Sequence, residues 1–295
     1  MEFCVLGAAA GGGLPQWNCG CAICAAARDG VIPHMTQSSM AVSVNSADWA
    51  VINASPDIRM QLAASPRLFP QGLRLSPVKA VILTNADLDH IAGLQSLREK
   101  TPFEVFATHA VLDVIAGNSV FRALDPDLVR FTPILLDTSF EPLPGLSVTP
   151  YAVPGKIALF LEEGDPDLEA MGEQTIALRL NFAGRVAHYV PGCAALPDWL
   201  VAQLSEAEVL FFDGTVYHDD DMVRSGTGAK TGRRMGHIAM SGRDGSLDRL
   251  AGLPARKVFT HINNTNPILL PDSAERAHVI ASGWEIAQDG QEYRL

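Results

Sequence analysis

The run Val78 to Thr84 (VKAVILT) constrains this chain more than any other segment. It is apolar almost throughout and of strand length, which is the pattern of a central strand covered on both faces. Directly behind it comes Thr84-Asn85-Ala86-Asp87-Leu88-Asp89-His90, and Ala92-Gly93-Leu94 then opens a helix. Loops at strand carboxyl ends are where sites collect in α/β folds. Ionisable side chains crowded against a buried strand carry a desolvation cost that something must offset. One reading is an Asp-rich cap for the following helix. The other is a metal position, because Asp89 and His90 set a hard and a borderline ligand side by side.

The remaining pattern is strand-rich. Glu2 to Gly7 reads as a buried strand followed by a Gly-rich turn, and Met40 to Ser46 and Trp49 to Asn53 read as two more. Ser55 and Pro56 predict an N-cap and first turn for a helix to about Ala64. Phe103 to Thr108 is a strand and Ala110 to Ala116 a helix. Gly145 to Tyr151, Thr175 to Phe182 and Arg185 to Val190 are strands, the last two joined by a hairpin at 181–184. Val209 to Phe212 and Lys257 to His261 again read as buried strands, and Ser273 to Ser282 as an amphipathic helix. With no repeat, low-complexity segment or Pro/Ser-rich linker, this predicts a layered α/β sandwich forming a single domain over 1–295.

Charge and cysteine usage narrow the function. Lys plus Arg total 22 against 33 Asp plus Glu, a net charge of −11, which disfavours phosphate backbones and so nucleic-acid partners. No stretch is long and apolar enough to span a bilayer, so no membrane insertion is expected, and no Lys or Arg precedes the apolar opening run as a secretory leader requires. A cytoplasmic location is expected. Cys19, Cys21 and Cys24 crowd three of the five cysteines into six residues, a C-x-C-x2-C spacing poor for mutual disulfides and good for a structural Zn(II) that needs one more ligand.

Asp213 ends one buried strand and His261 ends another. Between them, after a long loop, His237 is placed to act as general acid or base. Gly228-Ala229-Lys230-Thr231 imitates a phosphate loop, but its first and last glycine positions hold Arg224 and Ala229, so the nucleotide reading fails. What remains is a Gly-rich loop carrying Arg224, Lys230, Arg233 and Arg234, whose cations, Lys230 and Arg233 foremost, are either solvated or form a lid that meets a polycarboxylate substrate.

On these residues the chain resembles the metallo-β-lactamase superfamily, whose signature H-x-H-x-D-H follows a strand. Aligned on Asp89 and His90, the first two His positions fall at Asn85 and Asp87, and the superfamily's third His falls near Val153-Pro154-Gly155, where there is none. The resemblance implies a four-layer αββα sandwich in which Asp89, His90, Asp213 and His261 keep one metal position while the other is dismantled. Two His and a carboxylate with open positions suit non-haem Fe(II) and dioxygen, and Zn(II) as well, whereas a two-metal cluster favours hydrolysis. Asp87 would add a ligand or polarise one.

More narrowly, the chain resembles the pyrroloquinoline quinone (PQQ) biosynthesis protein B family over essentially its whole length. The resemblance rests on Val5–Gly13 with Pro15–Cys19, Thr36–Ser39, Asn53–Asp57, Asn85–His90, Ser225–Gly232 with Met235–His237, and Thr260–Pro267. It implies hydroxylation of the tyrosine-derived ring of a cross-linked Glu-Tyr intermediate by a mononuclear metal oxygenase, and other PQQ-pathway proteins as partners. Carriage of PQQ or its precursor towards the periplasm is one alternative, and a zinc hydrolase of esters or phosphodiesters another. A related phosphodiesterase branch completes a similar three-cysteine site with a His at the position of Asn264 here; His34 is the other candidate for a fourth ligand.

Overall fold

The computed structural model of the chain describes residues 1–164, 167, 168 and 170–295. The N-terminal part supplies strands β1 (Glu2–Gly7), β2 (Ser39–Ser43), β3 (Trp49–Ile52), β4 (Val78–Ile82), β5 (Phe103–Ala107) and β6 (Val129–Pro133). The C-terminal part supplies β7 (Phe140–Leu143), β8 (Leu146–Ala152), β9 (Ile176–Phe182), β10 (Arg185–Val190), β11 (Val209–Asp213), β12 (Arg256–Thr260) and β13 (Trp284–Ile286), and β14 (Glu292–Arg294) returns to the first sheet. Two seven-stranded sheets result, ordered β14-β1-β2-β3-β4-β5-β6 and β13-β12-β11-β10-β9-β8-β7. Both are mixed. β3 to β6 run parallel, as do β10 to β13, while the outer hairpins are antiparallel. Helices flank the sheets, which is the metallo-β-lactamase-like α/β sandwich.

The period-2 alternation of β4 explains its unbroken apolar run. Ala80 and Ile82 belong to the large cluster between the sheets, with Phe3, Val5, Ile52, Leu178 and Phe211. Val81 and Leu83 belong instead to an outer cluster with Val105, Val111 and Ile115 of the helix His109–Gly117. Across the central layer Phe3 packs on Phe211 at 5.2 Å between ring centroids, and Phe211 on Tyr293 at 5.1 Å. Each such buried aromatic contributes about 2–3 kcal/mol by removing apolar surface from water.

One local expectation is corrected. Ser55 does not cap the next helix, which begins at Ile58 with Asp57 at its N-cap; Ser55 Oγ donates to Gln61 Oε1 at 3.0 Å instead. Among the described residues no helix is long and apolar enough to cross a membrane. The functional consequence of the topology is that β3, β4, β11 and β12 deliver Asn53, Thr84, Asp213 and His261 to one edge of the sandwich.

Candidate metal centre

Asp89 and His90 sit in the short helix Leu88–Ile91 that β4 leads into, and His261 follows the last residue of β12. His261 has φ +56°, a left-handed backbone uncommon outside glycine, which turns the chain sharply as it leaves the sheet. The ligand atoms of Asp89, His90 and His261 all lie within 4.8 Å of one another. Asp89 Oδ2 is 3.2 Å from His261 Nε2 and 3.7 Å from His90 Nε2.

Polar neighbours hold each imidazole at Nδ1. Thr84 Oγ1 accepts from Asn53 Nδ2 (2.9 Å) and lies 3.3 Å from His90 Nδ1. Thr215 donates to Asp213 Oδ1 (2.7 Å) and accepts from His261 Nδ1–H at 2.9 Å. His237 Nδ1–H donates to Asp213 Oδ2 at 2.7 Å. His237 and His261 are thus left with Nε2 as a bare acceptor, and His90, held at Nδ1, has its Nε2 available for ligation. The Nε2 of His90 is buried and has no hydrogen-bond partner. His261 Nε2 and Asp89 Oδ2 are then two acceptors face to face, so a positive charge has to stand between them, either a proton or a cation shared by both. This donor set fits a metal ion.

The electrostatics agree. Burial acts to raise the Asp89 carboxyl, yet the His90 and His261 imidazoles outweigh it and hold the acid well below the usual carboxylate range. Burial pushes His90 down to about 4, with Asp89 only partly opposing. For His261 burial also lowers, but the hydrogen bond and charge of Asp89 prevail and raise it. Asp87 is raised, first by burial and then by the charge of Asp89.

Asp213 belongs to a second, overlapping trio with His237 and His261. Its carboxylate already accepts four hydrogen bonds, from Cys193 N–H, Thr215 N–H, the Thr215 hydroxyl and His237 Nδ1. It holds His237 directly and His261 through the Thr215 hydroxyl, and in this trio it is also a candidate ligand.

Asp89, His90, His237 and His261 open into a cleft of about 260 Å³ that Asp87, Lys156, Lys230 and Arg234 also line. Of the loop's cations, Lys230 and Arg234 line this cleft, while Arg233 lines a larger adjoining groove of about 760 Å³ that meets the cleft at His237. The reason is helical geometry, since successive side chains of the turn Gly232–Met235 point about 100° apart. Sequence reasoning missed Lys156 and Glu162. The signal for Lys156 was present, since it directly follows the Val153–Gly155 loop from which the superfamily's third His is missing.

The cysteine cluster also forms. The Sγ atoms of Cys19, Cys21 and Cys24 lie within 4.8 Å of one another. Asn264 sits over them, its Nδ2 at 3.3 Å from Cys19 and Cys24 and 3.9 Å from Cys21. His34, the other candidate, does not join this group, and its Nε2 lies 3.1 Å from the Ala27 carbonyl oxygen. Donors from the neighbouring cysteines and Asn264 outweigh burial and lower the Cys19 thiol, whereas burial pushes Cys21 up to about 11. Three thiols competing for protons in this way are suited to release them to a metal. Asn264 lies three residues beyond His261, so both clusters hang on one loop.

Comparison with known proteins places this geometry. A family model described as beta-lactamase superfamily domain matches residues 48–262. The coenzyme PQQ synthesis protein B of Ruegeria pomeroyi is 54% identical over 295 residues, covering 100% of both chains. That of Rhizobium meliloti is 54% identical, covering 100% of this chain and 98% of its own. Among solved structures, Zn(2+)-bound PqqB from Methylobacterium extorquens superposes with a TM-score of 0.98 at 49% identity over 100% of both chains. A diphosphatase of the PhnP family shares the fold, with a TM-score of 0.70 at 20% identity over 100% of this chain and 97% of its own.

Proposed function

Because the chain belongs to the coenzyme PQQ synthesis protein B family of the β-lactamase superfamily, we propose that it hydroxylates the tyrosine-derived ring of a cross-linked Glu-Tyr intermediate, with Asp89, His90 and His261 holding one Fe(II). A part in PQQ biosynthesis follows from the family. Ring hydroxylation is the reaction the site supports best, and the unpartnered Nε2 of His90, buried beside Asp89 and His261, carries that reading. When bound, Fe(II) supplies activation of dioxygen, whereas Zn(II) in the same donors supplies Lewis acidity for hydrolysis.

The chain's own residues do the rest. His237, with Nδ1–H fixed on Asp213, offers Nε2 as acceptor for the ring proton that oxygen replaces, and the Asp213 carboxylate stabilises the imidazolium that results. Lys156, Lys230 and Arg234 supply positive charge for the substrate's carboxylates along one wall. Cys19, Cys21 and Cys24, with the Asn264 amide, would hold a structural Zn(II) that ties the N-terminal loop to the His261 loop.

The test begins with metal analysis of protein purified without chelator, followed by anaerobic Fe(II) loading and exposure to the cross-linked Glu-Tyr compound and a reductant in air. We expect oxygen uptake and a product heavier by one oxygen atom, both lost in His90→Ala. Ester hydrolysis by the zinc form without oxygen, or retention of unchanged quinone with no product, would overturn the reading in favour of a hydrolase or a carrier.

A further inference from the structure

We propose that Lys156 and Arg234 form a carboxylate-binding subsite beside the metal centre, and that Glu162 of the same chain fills it until a substrate carboxylate takes its place. Glu162 Oε1 lies 2.8 Å from Lys156 Nζ, and Oε2 lies 2.9 Å from Arg234 Nη2. One carboxylate therefore bridges two cations from separate segments. The Lys156 and Glu162 side chains are only 9% and 7% exposed, so this is a desolvated pair rather than a surface one. Such pairs are weak devices for stability, because apolar packing of the same volume does as well or better. Their position points to binding. Lys156 and Arg234 both line the metal cleft, and the Lys156 stem packs on Gly236, where a Cβ would come within 3.1 Å of its Cγ, one residue before His237.

The segment that carries Glu162 is anchored at Ala158, which is buried in the outer apolar cluster, and is held beyond it by polar contacts. Leu159 N–H donates to Asp87 Oδ1 at 3.2 Å, while Leu159, Phe160 and Leu161 remain 53%, 46% and 42% exposed. Three neighbouring apolar side chains left in water leave this segment weakly packed. An incoming carboxylate that satisfies Lys156 and Arg234 releases Glu162 and frees the segment to rearrange over the bound ring. The inference rests on the proposed polycarboxylate substrate.

Zinc-loaded protein is titrated calorimetrically with the synthetic cross-linked Glu-Tyr compound and with its fully amidated analogue. Glu162→Gln, which keeps the size and removes the competing charge, is expected to bind the carboxylate form on the order of ten-fold more tightly than the parent and the amide equally well. Equal or weaker binding of the carboxylate form overturns the subsite. Glu162→Ala gives a second reading should the Gln variant fold poorly. In the unaltered protein, the carboxylate compound and not the amide should speed hydrogen exchange across 158–163; unchanged or slower exchange there also overturns it. Tighter binding to Glu162→Gln without any oxygen uptake by the iron form leaves the subsite standing and removes the hydroxylase. Hydroxylation with no change in affinity does the reverse.

Discussion

Three imidazoles are each fixed through Nδ1 by a short polar side chain: His90 by Thr84, His261 by Thr215 and His237 by Asp213. Thr215 has the widest reach, because its single hydroxyl accepts from His261, donates to Asp213 and lies 3.1 Å from His237 Nδ1. Thr215→Val keeps the shape but leaves Asp213 short of a donor and His261 Nδ1–H without its acceptor in a buried place. Loss of such a partner to a ligating imidazole typically costs 10–100-fold in metal affinity, and a loss in that range is expected here. Competition against a chromophoric chelator measures it, and Thr215→Ser should stay within about threefold of the parent because the donor and acceptor survive. The ligand candidates Asp89, His90 and His261 were legible in the sequence, since charged or imidazole groups at the ends of apolar strands demand an explanation. The threonines were not, because a Thr at a strand end carries no signal of its own and only the fold shows which ring it faces.

At the scale of elements, the unit that matters runs from β4 through Thr84 into the helix Leu88–Ile91 and the turn after it. It is clamped to the end of β3 by main-chain bonds, Ala54 N–H to the His90 carbonyl oxygen at 2.7 Å and Gly93 N–H to that of Ala54 at 2.8 Å. Gly93 is required there by space, since a Cβ would fall 1.9 Å from the Ser55 carbonyl oxygen and 2.7 Å from that of Ala54. Backbone cannot give way as a side chain does. Gly93→Ala is expected to destabilise the protein by about 2–4 kcal/mol in urea unfolding and to lower metal content at His90 in the same preparation. An unchanged midpoint would mean that the β3 exit moves freely, contrary to the clamp. The strands with long unbroken or alternating apolar runs, β1 to β5 and β8 to β12, were all legible. β6 (VRFTP) and β7 (FEPL) were not, because each contains a proline that argues against a strand interior, and both lie at sheet edges where proline is tolerated. β13 and β14 have three residues each, too few for alternation to show.

For the molecule as a whole, a buried histidine outside the metal centre also ties folding stability to pH. His188 lies on β10, away from the metal cleft, with Nδ1 2.8 Å from the Tyr151 hydroxyl and Nε2 without a hydrogen bond, although Glu206 Oε1 is 3.4 Å away. Burial lowers it from 6.5 to about 4, only partly opposed by Glu206. Between those two pH values the unfolded chain binds a proton at this residue and the folded protein does not. Stability therefore rises with pH through this window; His188's contribution is whole above about 6.5 and is lost as pH falls towards 4. Asp221 works with the opposite sign, because burial lifts it to about 6 against the Tyr217 and His218 amides, so the folded form holds a proton there that the unfolded chain has released. The parent profile mixes these with other buried groups, His90 of the metal centre among them, and comparison with a variant isolates His188. His188→Gln, which cannot take up a proton, should lose the acid-side slope: the parent's stability relative to the variant is expected to fall by on the order of 3 kcal/mol from pH 7 to pH 4. Urea unfolding of the metal-free forms across that range measures it, and parallel profiles would show that His188 is protonated in the folded state and that Glu206, not burial, governs it. Adding metal should leave the difference between the two proteins unchanged, because His188 is not among the groups that meet at the metal cleft.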